Sequence, residues 1–408
     1  MKKLLIIGHT FPEPTTTAAG SRMLQLIQVF LEDNYSITFA STASSGDKSA
    51  DLQNLGISSE TIQLNNSSFD DFLRKENPTI VLFDRFITEE QFGWRVSEVC
   101  PEALKILDTE DLHFLRKARE IAVKQNTPVE KANLFTETAK RELASIWRCD
   151  LSLIISEAEI KLLQNTFSIS ENILFYLPFL LSPISEEQKQ YLPTFKERQH
   201  FITIGNLLHA PNVDSLKVLK KDIWPQIKAK LPKAELHVYG AYAPQQVLEL
   251  HNEKEGFIIK GWAADSHTVM RQARACLAPI RFGAGLKGKL IDAMQSGTPL
   301  VTTNIGAEGI YNASTTNNGA DNWTDFINKA ITLYTDENIW LEKQHQGFET
   351  LNNRFDKTLF DASFLERIET IKKNLPRHRN SHFFGQILQH HTAQSTKFMA
   401  KWIEEKNK

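Results

Sequence analysis

Residues 281–309, RFGAGLKGKLIDAMQSGTPLVTTNIGAEG, decide the reading of this chain. An apolar run, Ala275–Ile280, leads into them and has the composition of a buried strand. Gly283 and Gly285 make the following turn flexible. The apolar spacing predicts a helix over Leu286–Gln295, closed by Gly297 and stopped by Pro299. A second apolar strand is expected at Leu300–Thr303. Lys287 and Lys289 then fall in the first helical turn. A helix start offers unpaired backbone N–H groups and the positive end of its dipole. Two ammonium groups at the same place make an anion site. The competing reading is a solvated lysine pair on an ordinary strand–helix loop, because one glycine-rich turn is weak evidence by itself.

The same alternation extends in both directions. Strands are expected at Leu4–Gly8, Ser36–Ala40, Thr61–Leu64, Ile80–Phe83, Leu104–Leu107, Leu151–Ile155 and Ile173–Tyr176, then at Phe201–Ile204, Glu235–Tyr239 and Phe257–Lys260. Amphipathic helices fall between them, among them Ser21–Glu32, Asp111–Lys124, Pro128–Trp147 and Asn212–Leu231. Strands alternating with helices predict parallel sheets covered on both faces, an α/β class. The polar, proline-bearing stretch 182–199 interrupts the rhythm. The expected organisation is a doubly wound domain over 1–181, a linker over 182–199, and a second doubly wound domain over 200–375. A helical tail over 376–408 either returns to the first domain or stays mobile.

Composition narrows the function. A chain of 408 residues suits two domains. A net charge of −2 argues against a nucleic-acid binder and leaves room for a local basic site. Cys100, Cys149 and Cys276 show neither a disulfide framework nor zinc spacing. No run approaches a membrane span, and the opening MKKLLIIGHTF is too short for a signal peptide. A cytoplasmic protein is expected, with peripheral contact at the inner membrane face left open. The sequons at Asn66 and Asn312 then carry no expected glycan.

The stretch from Asp292, with Ala293, Met294, Gly297, Pro299, Leu300, Val301, Thr303, Gly306 and Glu308, resembles the "EAM..G.PVV.T..G..E" signature of retaining GT-B glycosyltransferases. The resemblance is strong over Phe201–Tyr311 and patchy over the first 180 residues. It implies two Rossmann-like domains facing across a cleft and a nucleotide-sugar donor held by the second domain. Negative charge grows on the departing diphosphate, so fixed positive charge must meet it. Lys287 and Lys289 take that role, helped by N–H groups of Gly283 to Gly288. Many relatives carry two glutamates seven residues apart. Here the first position is Ala284 and the second is Asp292, which can still accept from ribose hydroxyls. A subset with an "R.GaG.K.K" loop is closer to this chain, and Arg281 is then either a phosphate or sugar contact or a surface arginine.

The resemblance assigns further residues. IGNLLHAPNVDSL resembles a donor-side segment in which Gly205 and Asn206 line the cleft. His209 is a donor contact or a plain loop residue, and Asn212 and Asp214 are read as helix caps. Glu308 binds donor hydroxyls or sits in a turn. The loop Gly261–Val269 matches a region beside the base. HTFPEPTTTAAGSR resembles "P.P..GG..R", placing Gly20 and Arg22 near the donor phosphates and making Ser21 the helix cap. LDTEDLHFLR resembles "D..D.H..R", so Asp108, Asp111 and His113 are expected toward the acceptor, with His113 as the catalytic polar group beside Lys289; alternatively Asp111 only caps a helix. The implied reaction needs no resident cofactor and no metal. Its partners are a nucleotide-sugar and a glycan, lipid-linked or protein acceptor. The rival reading is a non-catalytic GT-B module; an epimerase of the same architecture would need acid/base groups the sequence does not place.

Overall fold

The computed structural model describes residues 2–311, 319–320 and 322–407, the side chains of 391–394 excepted; Asn312 lies outside them. Seven strands form the first sheet: β1 Lys3–Gly8, β2 Ser36–Ser41, β3 Ser58–Thr61, β4 Ile80–Asp84, β5 Leu104–Asp108, β6 Leu151–Ile154 and β7 Leu174–Tyr176. Five form the second: β8 Gln199–Ile204, β9 Leu236–Tyr239, β10 Phe257–Gly261, β11 Ala273–Ala278 and β12 Leu300–Thr302. The orders are β3-β2-β1-β4-β5-β6-β7 and β10-β9-β8-β11-β12, with every pair parallel. Helices cover both faces of each sheet, so central strands such as β4 and β5 are buried along their whole length. The chain therefore has the GT-B fold, two Rossmann-like domains across a cleft. Strand order reverses between β1 and β4 and between β8 and β11. At such points adjacent loops diverge and leave a crevice at the carboxyl ends of the strands. Both crevices open on the interdomain cleft.

Some expected elements moved. The strand expected at Thr61–Leu64 lies at Ser58–Thr61, an edge strand exposed along its length that gives no apolar signal. The helix expected over Pro128–Trp147 is a short 3-10 turn, Val129–Lys131, followed by Glu137–Arg148. Thr136 caps the second piece by accepting from the Ala139 N–H. The helix over Asn212–Leu231 runs as Ala210–Val218, a π-helical turn Leu219–Ile223 and Trp224–Lys230. Pro225 has no N–H to continue the ladder, and the wide turn before it absorbs the break. The loop Gly261–Val269 contains the start of a helix, Ser266–Gln272, capped by Asp265. Ser21 is not a cap: the helix is Ala18–Glu32 and Thr17 caps it through the Gly20 N–H.

The chain returns to the first domain before Pro376. In the helix Asp361–Lys373, Phe364, Ile368 and Ile371 join the core that holds Leu4, Phe30 and Tyr35. Arg379 then forks onto Asp150 at 2.8 and 2.9 Å. The last helix, Phe383–Lys406, lies on the helices Arg85–Val99 and Glu137–Arg148.

Candidate active site

The crevice of the second sheet is built around Gly205, which follows β8 with φ 159°. A Cβ there would lie 2.6 Å from Asn212 Nδ2 and 3.1 Å from Lys289 Nζ. Glycine thus lets two side chains from separate helices converge. Asn212 is not a cap; His209 holds that position, and Asn212 donates to the Asn206 carbonyl at 2.8 Å. Its Oδ1 accepts from Lys289 Nζ at 2.7 Å. Among the described residues Lys289 forms no salt bridge. Burial lowers its pKa to about 8.

The glycine loop enters the helix Gly288–Gln295, so Lys287 is its N-cap rather than an internal residue. Its ammonium turns back to the Gly285 carbonyl, 2.9 Å away, and is buried. Burial lowers the Lys287 pKa, while Glu308 and Glu159 oppose that shift. Gly285 has φ 60°, and its N–H donates to Glu159 Oε1 at 2.7 Å. A Cβ on it would lie 2.9 Å from the Asp111 Cβ, which fixes how closely the first domain approaches. Gly283 has no such crowding; its carbonyl accepts from Arg119 at 2.8 Å. Arg119 also forks onto Glu308 at 2.7 and 2.8 Å, spanning the two domains. Burial raises the Glu308 pKa, but the Arg119 bonds and Lys287 overcome it and hold the carboxylate below its usual range.

Three other predicted positions of the second domain differ in surroundings. Arg281 is paired with Asp214, 2.8 Å from its Nε, so Asp214 is a partner rather than a cap. Ala284 is buried in an apolar cluster with first-domain side chains. Asp292 is pushed up to about 6 by burial, with Ser266 Oγ 3.5 Å away.

On the facing wall, Asp111 accepts from Arg116 Nε at 2.7 Å and lies 3.2 Å from His113 Nε2. Arg116 and His113 hold the Asp111 carboxyl far below its usual range despite burial. Burial lowers His113 to about 4 against the pull of Asp111, so the imidazole is neutral near pH 7. His209 is also lowered to about 4, by burial and then by Arg116; its side chain is open to solvent but sits deep among charged neighbours. Asp111 does not cap the helix His113–Lys124. Glu142 does, accepting from the His113 and Phe114 N–H groups at 3.0 and 2.8 Å.

Arg22 and Asp108 do not project into the cleft as expected. They are 1% and 0% exposed and paired at 3.1 Å beneath it. Arg22 also donates to the Leu177 and Pro178 carbonyls, tying the first helix to the end of the sheet. Gly20 packs against the Glu13 backbone, with no space for a Cβ. Arg116 closed the "D..D.H..R" segment without a role of its own, and Arg119, Glu142 and Glu159 went unread in the sequence. They lie on helices whose charged faces look like any solvated surface, and only tertiary pairing distinguishes them. At the cleft mouth Tyr242 donates to Glu13 at 3.0 Å, Trp262 donates to the Thr15 carbonyl at 3.3 Å, and Lys48 lies 4.5 Å over the Trp262 ring. Among the described residues no group of three or more His, Cys, Asp or Glu side chains is arranged to hold a metal ion.

Residues 198–336 match the family described as Glycosyl transferases group 1. No curated protein sequence matches the chain. Among solved structures, a sucrose-phosphate synthase from Thermosynechococcus elongatus aligns with a TM-score of 0.66 at 12% identity, over 91% of this chain and 99% of that one. HepE of Anabaena, in complex with UDP and glucose, aligns at 0.63 and 14% identity, over 90% and 100%. WaaG, a glycosyltransferase involved in lipopolysaccharide biosynthesis, aligns at 0.59 and 12% identity, over 88% and 98%. At these identities the likeness is one of fold. The match in sequence covers β8 to β12, the strands that build the Lys289 crevice.

Proposed function

We propose that the chain is a glycosyltransferase that moves a sugar from a nucleotide-diphosphate donor to a glycan or lipid-linked acceptor, with retention and without a metal. Lys289 carries the reading. It is a half-buried, desolvated ammonium with an amide for a partner and no acid, at the start of a helix, in a switch-point crevice facing the other domain. A desolvated cation of this kind is costly until an anion arrives. The family match over the same strands and the UDP in the HepE structure support a nucleotide diphosphate as that anion.

In this reading Lys289 and the helix start take up charge as the diphosphate leaves. Asp292 is the acceptor for ribose hydroxyls. Neutral His113, held by Asp111, faces the sugar and can accept or donate one hydrogen bond there. Retention rests on the resemblance of the 281–309 stretch to retaining enzymes. Lys289→Ala should weaken binding of UDP or GDP far more than binding of the bare nucleoside; equal loss for both would count against a phosphate role. A panel of nucleotide-sugars with product analysis then identifies donor and acceptor.

A second reading, a binding module without turnover, is favoured by Ala284. It offers no hydrogen bond where many relatives have a glutamate, and it is packed in an apolar cluster. Donor binding without turnover across the panel would select it.

A further inference from the structure

The last helix, Phe383–Lys406, is inside out. An ordinary surface helix turns its apolar stripe inward and its charges to water. Here polar groups make the inner contacts. Gln389 accepts from Lys105 at 2.9 Å, Lys397 pairs with Glu98, and Arg95 lies 3.8 Å from Glu404. The small residues Gly385 and Ala400 let the helix sit close to the domain. Phe383, Ile387, Phe398, Met399 and Trp402 lie on the outer side, with Phe398 and Trp402 62% and 60% exposed, while Phe384 meets the Trp147 ring edge to face. At 100° per residue these five fall within one broad sector of the helix. So many large apolar groups gathered on one face mark an interaction surface.

We infer that this face docks on an anionic lipid membrane. Charge selects that occupant. From Pro376 onward the chain carries six basic and two acidic residues; with Arg379 and Lys397 paired to Asp150 and Glu98, four basic residues stand against the two acids, an excess of two within a protein whose net charge is −2. Lys401 and Lys406 flank Trp402. Aromatic and aliphatic residues on one face with lysines beside them are the composition of a helix that lies in the lipid headgroup layer. A second copy would bring one cationic tail against another, without an acidic surface to balance them. No helix among the described residues is long and apolar enough to cross a membrane, so the attachment is in the plane of the interface. The inference does not depend on sugar transfer.

The test is sedimentation of the full-length chain with vesicles of phosphatidylcholine and phosphatidylglycerol, compared with phosphatidylcholine alone. Binding is expected to the anionic vesicles and to weaken with salt. Phe398→Ser with Trp402→Ser should reduce it by more than about tenfold, from the lost apolar burial. Lys401→Glu and Lys406→Glu should each reduce it roughly fivefold. Phe383→Ser with Ile387→Ser, at the other end of the helix, repeats the test should the first pair disturb folding by circular dichroism. The proposal is overturned by wild-type protein that ignores anionic vesicles, by variants that bind as well as wild type, or by a dimer in solution that these same substitutions dissociate.

Discussion

On the first-domain wall of the cleft, the arginines are matched. Arg22 has Asp108, Arg116 has Asp111, and Arg119 reaches across the cleft to Glu308. On the second-domain wall Lys289 has the Asn212 amide and no acid. Burial acts on both walls, and among these cations only Lys289 has no acid beside it; Glu142 and Glu159 are buried on backbone N–H groups alone. Paired groups fix geometry, because removing one partner strands the other. An unpaired buried charge is poised for a ligand. The comparison separates residues that hold the cleft in shape from one that waits for a substrate.

The largest effect should come from removing the unmatched charge. Lys289→Ala is expected to lower kcat/KM for sugar transfer about 10²–10³-fold, roughly 2.7–4 kcal/mol of lost transition-state stabilisation. Lys287→Ala should cost less, since that ammonium already bonds the Gly285 carbonyl. Equal losses from the two lysines would erase the distinction between them.

The same lysine should behave in the opposite sense toward stability. Lys289→Met replaces a desolvated ammonium with an apolar side chain of similar length. The ligand-free chain is expected to gain about 2–3 kcal/mol in denaturant unfolding at pH 7. A destabilised Lys289→Met protein would mean that the fold, rather than a ligand, needs the charge.

The matched wall should respond by losing shape. Arg119→Ala strands Glu308 and frees the Gly283 carbonyl. A loss of about 1.5–2 kcal/mol in stability is expected, together with a rise in the Glu308 pKa visible by NMR titration. Arg119→Lys should recover only part of the loss, because a lysine cannot make the fork. An unchanged midpoint in Arg119→Ala would show that this cross-domain pair does not hold the cleft.

How much of this was legible follows from where each signal lies. Buried strands such as Leu4–Gly8 and Ile80–Phe83 are apolar runs, because both faces of a parallel sheet are covered. The glycine loop and its lysines are local in sequence, so their convergence could be read there. Ser58–Thr61 could not, since an exposed edge strand has no pattern to impose. Arg22 and Asp108 sit at strand and helix ends, which suggested the cleft, yet their mutual pairing drew both beneath it. The Glu159 bond to Gly285 joins residues 126 positions apart, and Arg119 meets Glu308 across 189. No local pattern marks such a meeting; it exists only once two domains face each other.

The finest test of the comparison is pH. Burial lowers Lys289 from its ordinary 10.5 to about 8. Between those values the unfolded chain holds a proton that the folded chain has released. Stability from this group should therefore rise with pH across that window. Affinity for a nucleoside diphosphate should move the other way, falling about tenfold from pH 7 to pH 9 as the ammonium loses its charge. Glu142 and Glu159 on the facing wall, raised by burial to about 8 and about 7, titrate nearby with the opposite sign for stability, which falls as pH rises toward those values. Lys289→Arg keeps its charge throughout and leaves those glutamates in place, so the difference from wild type isolates the lysine in both curves. Isothermal titration of UDP and urea melts at matched pH values measure the two slopes. Should wild type and Lys289→Arg show the same two slopes, the proton is leaving a group that binds no phosphate.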